Sequence, residues 1–429
     1  MEVAVFGLWH LGCVTAACLA TGGHRVRGLD RDAEVIEGLR RDAPPLYEPG
    51  LAERLAQGRA AGRLSFTTEP DEALTGAEIV LLTFDTPVDD QDEADVAWVL
   101  RQLDTAMDAV APGTIVVVSA QVPVGFTRSL ERRWSGRGLR FACSPENLRL
   151  GRALETFERQ ERVVVGVRDE SVKDPLALLL GPFAGRIEWM SVESAEMTKH
   201  ALNAFLATSV SFINEMARLC EAVGADAKEV ERGLKSEPRI GPRAYLGPGA
   251  PFAGGTLARD VRFLMALGRG NGLATPLFSG VIESNDAHAR WIQATVERLL
   301  AGLVGPVAAV LGLTYTPGTS TLRRSSALEL CRWLVARDVA VRAHDPAVHT
   351  LPDAWGCRVH LCEDAREALR GADVAIVATT WPQYRDLTPA DFVAAMRRPV
   401  VVDQNWFLGP ILIADARVRY VAPGRYPVS

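Results

Sequence analysis

A chain of 429 residues, 48% hydrophobic and 23% charged, is longer than one hydrophobic core usually supports and has the composition of a globular protein of two or three domains. Its formal net charge of −6 argues against a general nucleic-acid binder, which would be basic, and no apolar run is long enough to span a bilayer. The 7 cysteines, at 13, 18, 143, 220, 331, 357 and 362, have neither zinc-ligand nor C-x-x-C spacing. They read as reduced, mostly buried thiols, and no metal is expected. With the strand-like run Glu2–Phe6 where a signal peptide would lie, a cytoplasmic protein is expected.

The first region alternates strand and helix signals. A strand over Val3–Phe6 leads into a glycine-bearing turn, Gly7–Gly12, and a helix from about Cys13 to Thr21. A second strand, Arg25–Leu29, ends at Asp30, and further strands are predicted at Ile79–Thr83, Thr114–Ser119, Arg140–Ala142 and Arg162–Val167. This alternation predicts a parallel doubly wound sheet. From Ser191 to Leu303 strand signals nearly vanish, and amphipathic patterns over Ser194–Val223 and Thr275–Leu303 predict a helical middle domain. Strand signals return at Val307–Leu313, Ala340–His344, Val374–Ala378 and Val400–Asp403. The order strand, glycine turn, helix, strand ending in Asp recurs, with Asp345 in the place of Asp30. The predicted class is α/β, with an N-terminal Rossmann domain (1–190), a helical middle domain (191–303) and a C-terminal doubly wound Rossmann-like domain (304–429).

A dinucleotide fingerprint needs three glycines, for a tight turn, for close approach to the pyrophosphate and for helix packing. In Gly7-Leu8-Trp9-His10-Leu11-Gly12 the second glycine is Trp9. Its indole either fills the space the pyrophosphate needs or turns aside and leaves the helix N-terminus to phosphate. His10 reads as a packed or solvent-edge residue. Asp30 ends the next strand, where a carboxylate accepts hydrogen bonds from the adenosine ribose and repels a 2′-phosphate, so NAD is favoured over NADP.

The segment Arg239–Asp260 carries glycines at 241, 247, 249, 254 and 255, a pattern predicting an irregular loop that approaches a ligand closely. Arg239, Arg243 and Arg259 supply fixed positive charge for an anion. Other motifs are Y-E-P-G-L at Tyr47–Leu51, V-P-V-G at Val122–Gly125 and S-P-E-N-L-R at Ser144–Arg149. A-E-M-T-K-H-A-L-N-A-F-L-A-T at Ala195–Thr208 and L-G-L-T-Y-T-P-G-T at Leu311–Thr319 complete the set. In this order and over essentially the whole chain, the sequence resembles the UDP-glucose/GDP-mannose dehydrogenase family.

The resemblance implies an NAD-binding domain, a helical dimer domain and a nucleotide-sugar domain, with a nucleotide-sugar substrate and a homodimer in which Arg239 reaches the neighbour's sugar site. It places Thr86 and Gln121 near the cofactor, Glu146 near the sugar as a catalytic residue that supports hydride removal, and Asn147, Leu148 and Arg149 on the substrate. Lys199 and Asn203, four residues apart on one helix face, match groups that polarise the reacting oxygen. Asp260 matches a carboxylate that works with water in proton transfer. Arg239, Tyr245, Leu246, Gly254, Arg259 and Arg323 match the substrate side.

The departures lie at the chemical centre. The family's loop ends in Gly-Gly-Ser-Cys-Phe-Pro-Lys-Asp, its cysteine carrying the intermediate aldehyde, and here Thr256 stands in the cysteine's place and Arg259 in the lysine's. Gln121, Leu150, Thr316 and Ser320-Thr321 replace a threonine, a glutamate, a lysine and an Asp-Asp pair. A threonine hydroxyl is far less acidic than a thiol and is a poor covalent carrier. The expectation is NAD-dependent oxidation of a nucleotide-sugar alcohol, stopping after one hydride transfer at an aldehyde or ketone. The alternatives are full oxidation to a uronic acid through a hydrated aldehyde, redox-neutral epimerisation with bound NAD, and a non-catalytic nucleotide-sugar binder.

Overall fold

A computed structural model describes residues 1–87, 95–146, 148–252, 256–323, 325–351 and 358–425. The chain divides into two compact units, Met1–Leu202 and Asn203–Ser429.

In the first unit, strands β1 (Glu2–Phe6), β2 (Arg25–Leu29), β3 (Leu64–Thr67), β4 (Ile79–Leu82), β5 (Ile115–Val118), β6 (Arg140–Cys143), β7 (Val163–Val167) and β8 (Ile187–Met190) form one sheet in the order β3-β2-β1-β4-β5-β6-β7-β8. The central strands are apolar throughout because both faces are covered. Val3, Val5, Ile79, Leu81, Ile115 and Val117 join the core on one face. Ala4, Phe6, Val80, Leu82, Val116 and Val118 join the core on the other. All pairs are parallel except β6 with β7, which run antiparallel. The expectation of a wholly parallel sheet is corrected there: a doubly buried run such as Val163–Val167 has no alternation and reads alike in either direction.

In the second unit, β9 (Val307–Leu311), β10 (Ala340–His344), β11 (Val359–Leu361), β12 (Val374–Val377), β13 (Val400–Asp403) and β14 (Arg419–Val421) form a parallel sheet in the order β11-β10-β9-β12-β13-β14. Along the chain, the strands of the first sheet are followed by the helices Val192–Val223, Ala227–Ser236, Thr256–Gly270 and Pro276–Leu300 before the strands of the second begin. The last begins with Pro at its first turn and stops just before Gly302, whose φ is 79°. Its residues Trp291, Ile292, Val296 and Leu300 pack into the core of the second sheet. Among the described residues, no helix is long and apolar enough to cross a membrane.

The loop expected over Arg239–Asp260 is corrected at its end. Thr256 opens a helix, so Thr256, Arg259 and Asp260 occupy its first turns. The glycine cluster upstream masked a helical pattern that begins at its very edge. Strands β3, β8, β11 and β14 were not predicted, being short and of mixed composition.

Candidate active site

The turn after β1 is built by backbone geometry. Gly7 has φ 99°, and its N–H donates to the Leu29 carbonyl at 2.9 Å. The Leu8 N–H donates to Asp30 Oδ2 at 2.6 Å, and Thr83 Oγ1 donates to the Gly7 carbonyl at 2.8 Å. Gly12 lies so close to the turn that a Cβ there would sit 1.9 Å from the Gly7 oxygen. Helix His10–Thr21 starts with no side-chain cap, which leaves the first-turn amides of His10 and Leu11 to an external acceptor. Trp9 is 40% exposed, so its indole is not packed into the core. These features fit a pyrophosphate.

His10 is tied elsewhere. Its Nε2 lies 2.8 Å from Glu48 Oε2, and the buried Glu48 also accepts the N–H groups of Gly151 and Ala153 at 2.9 and 2.8 Å. Glu48, within Y-E-P-G-L, escaped the sequence reading as a site residue, although a carboxylate in an apolar, turn-forming motif was the available signal. Thr86 and Gln121 are brought together, the threonine hydroxyl donating to the Gln121 carbonyl at 2.9 Å.

The early turns of helix Val192–Val223 organise two loops of the first unit. Glu196, buried, accepts the N–H groups of Gly125 and Thr127 at 2.6 and 2.9 Å. His200 Nε2 lies 3.0 Å from the Val122 carbonyl. Lys199, also buried, donates from Nζ to the Glu146 carbonyl at 2.6 Å. Glu146 in turn accepts the Leu148 N–H on Oε2 at 2.5 Å, while the Leu148 side chain packs on the apolar core. Arg149 is exposed. Asn147 lies outside the described residues.

In the second unit, Asp260 is fully buried and accepts a hydrogen bond from the Asn203 amide. Thr256, four residues earlier on the same helix, is exposed, and Arg259 is buried. The loop leading here is pinned by amides. Asn214 Oδ1 accepts the Gly249 N–H at 2.9 Å, Asn405 Oδ1 accepts the Ala250 N–H at 3.1 Å, and Asn285 exchanges two hydrogen bonds with Phe252, each of 2.9 Å. His288 Nε2 lies 2.8 Å from the Gly249 carbonyl. Sequence reasoning found none of these four holders, since each lies far along the chain from the loop it fixes. Arg239 is exposed and paired with Glu237 at 2.7 Å. Tyr245 is exposed and Leu246 buried. Arg323 is exposed, and Gly254 lies outside the described residues.

The pseudo-repeat is real but unequal. Gly312, φ 94°, makes the second turn, and Asp345 Oδ2 accepts the N–H groups of Leu313 and Thr314 at 2.7 and 2.9 Å. The same oxygen accepts from Trp381 Nε1 at 3.0 Å, and Asp345 is buried. Asp345 is thus saturated by protein donors. Asp30 is only half-buried, and its carboxylate accepts the N–H groups of Leu8 and Asp32.

Among the described residues the free cysteines are all buried. Burial pushes the Cys18 and Cys331 thiols up to about 12 and that of Cys362 to about 11, so none is poised as a thiolate.

Comparison with known proteins matches three successive family models. They are the NAD binding domain of the UDP-glucose/GDP-mannose dehydrogenase family over residues 1–183, its central domain over 193–287 and its UDP binding domain over 309–410. The chain is 34% identical to a UDP-glucose 6-dehydrogenase of Pseudomonas aeruginosa, over 99% of this chain and 98% of that one. It is 32% identical to the UDP-glucose 6-dehydrogenase YwqF of Bacillus subtilis, over 100% of this chain and 98% of that one. A solved UDP-glucose dehydrogenase of Pyrobaculum islandicum superposes with a TM-score of 0.86 at 32% identity, covering 99% of this chain and 97% of that one.

Proposed function

Because the chain belongs to the UDP-glucose/GDP-mannose dehydrogenase family, and so is an NAD-dependent oxidoreductase acting on a nucleotide-sugar hydroxyl, we propose that it oxidises C6 of a UDP-hexose to the uronic acid in two hydride transfers. The support is that relatives named UDP-glucose 6-dehydrogenases match over its whole length. The observation that carries it is the buried carboxylate of Asp260, on the helix that Thr256 opens, held by the amide of Asn203 on helix Val192–Val223. The one-step outcome expected from Thr256 becomes the second reading.

NAD, when bound, accepts the hydride at each step. We assign its binding to the Gly7–Gly12 turn with the amides of Trp9, His10 and Leu11, and to Asp30, Thr86 and Gln121. In the first step the C6 alcohol loses a hydride and its hydroxyl proton. Lys199 Nζ stabilises the developing charge on the C6 oxygen, and the Asp260 carboxylate takes the proton through water. Water then adds to the aldehyde, and the resulting diol loses a second hydride and a proton to give the carboxylic acid, which ionises. One alcohol, two NAD and one water yield one carboxylate, two NADH and three protons. Thr256 hydrogen-bonds the diol and forms no covalent bond. We assign Glu146 to the support of hydride removal beside Lys199, and Asn147, Leu148, Arg149, Arg239, Tyr245, Leu246, Gly254, Arg259 and Arg323 to binding of the nucleotide-sugar substrate. The domain limits we adopt are 1–190, 191–303 and 304–429.

Incubation with UDP-glucose is expected to give two NADH per sugar and a carboxylate product by mass spectrometry. One NADH and an accumulating aldehyde refute the two-step reading and establish the second one, which the threonine at position 256 favours.

We also propose a homodimer through the helical middle domain. Phe205, Phe212 and Leu219 are 69%, 47% and 54% exposed and recur every seventh residue, one apolar stripe along the long helix. The double variant Phe205→Glu/Phe212→Glu is expected to run as a monomer in light scattering. An unchanged mass places the interface elsewhere.

A further inference from the structure

Val307 and Ala340, the first residues of β9 and β10, line a cavity of about 450 Å³ at the amino-terminal edge of the second sheet. Ligands of open α/β sheets bind at the opposite, carboxyl edge, where the Gly312 turn and Asp345 lie. The cavity is walled by Arg342, Arg358, Arg370, Arg397 and His360.

Two of these arginines are fixed in place. Arg342 donates from Nε and Nη2 to the Glu367 carbonyl at 3.2 and 2.9 Å. Arg397 donates to the Gly371 carbonyl at 2.8 Å and to Asp373 Oδ2 at 2.6 Å. Their carboxylate partners are turned to the protein: Glu367 also accepts the Glu363 N–H at 3.0 Å, and Asp373 the Val307 N–H at 2.9 Å. Arg358 and Arg370 have no ion pair or side-chain hydrogen bond among the described residues. Among the described residues, four lining guanidinium groups stand against two paired carboxylates, which leaves two of the four positive charges uncompensated by an ion pair. His360, Cys362 and Glu367 lie close enough to ligate a cation, but the Arg342 guanidinium sits 3.3 Å from Glu367 Oε1 and opposes one.

We propose that this cavity is a second ligand site, one that takes the dianionic phosphoryl group of a small phosphorylated metabolite. Arg358 and Arg370, unengaged among the described residues, can meet phosphate oxygens in bidentate fashion, while Arg342 and Arg397, whose Nε and Nη2 are held by the protein, offer Nη1. The volume exceeds that of a bare phosphate and lies in the range of sites for whole small metabolites.

The test is calorimetric titration of the full chain with inorganic phosphate and with a hexose monophosphate, in saturating UDP and NAD to occupy the nucleotide sites. The expected result is one further molecule bound, with affinity falling about tenfold or more in Arg358→Ser/Arg370→Ser, a loss of charge-assisted hydrogen bonds. Both residues are exposed, so the variant folds. Arg417→Ser, at a surface pair with Asp415, is the control that binds as the parent does. Tighter binding of the hexose monophosphate identifies a sugar phosphate, and equal binding identifies free phosphate; either upholds the site. No binding, binding abolished by the nucleotides, or binding unchanged in the double variant overturns it. Because no turnover is read, failure here is separate from failure of the proposed reaction.

Discussion

Asp260→Asn is expected to lower kcat by about 10²- to 10⁴-fold, the range general acid–base groups contribute. The substitution keeps the shape of a side chain that is fully buried against the Asn203 amide, and an amide oxygen at 260 can still accept that hydrogen bond. What it removes is the capacity to take a proton. The loss should therefore appear in kcat with KM nearly unchanged, since an interaction used only at the transition state is lost. Steady-state kinetics with NAD and UDP-glucose read the effect, and a thermal melt within a few degrees of the parent shows that packing has survived. A kcat within about threefold of the parent would remove Asp260 from the chemistry and the proposed reaction with it.

Gly12→Ala is the second large effect. A Cβ at this position would meet the Gly7 oxygen at 1.9 Å and Thr83 Oγ1 at 2.9 Å, and the first of these is backbone. Overpacking of this kind costs about 1–3 kcal/mol and occasionally more. The turn can relieve the clash only by moving Gly7, which the Leu29 carbonyl and Thr83 hold in place. NAD affinity is expected to fall by about two orders of magnitude, or about 2.7 kcal/mol, while UDP binding is kept. Gly312→Ala should do the reverse. There φ is 94° and a Cβ would lie 2.4 Å from Thr379 Cβ, in the second unit. Titrating both variants with both ligands gives a crossed pattern. Unaltered NAD affinity in Gly12→Ala would mean that the first turn does not carry the pyrophosphate.

Much of this was legible in the sequence. The doubly buried strands Ile79–Leu82, Ile115–Val118 and Val400–Asp403 declare themselves because covering both faces of a sheet requires uninterrupted apolar residues. The two long helices declare themselves by period, and the glycine turns by position. Ordered motifs carried the family, the cofactor and the substrate class. They also showed Thr256 where the family has cysteine, and a chemical argument from that one residue predicted a shorter reaction than whole-length relatives favour. Local chemistry weighs a single position; likeness over the whole chain weighs everything that surrounds it.

The tertiary structure decided what depends on distant partners. Trp9, large enough to fill the turn, is 40% exposed and not part of the core. Asp30 and Asp345 occupy equal places in the pseudo-repeat, yet Trp381 and Thr314 saturate the second and leave the first half-exposed. Glu48, Glu196, Asn214, Asn285, His288 and Asn405 hold the loops, and their local sequence does not mark them for it. Propensity and periodicity are properties of neighbours in sequence, so the chain alone determines its elements and their order. A hydrogen bond across many residues exists only once those elements have packed, and which polar groups are satisfied by protein and which are left to a ligand is settled at that point.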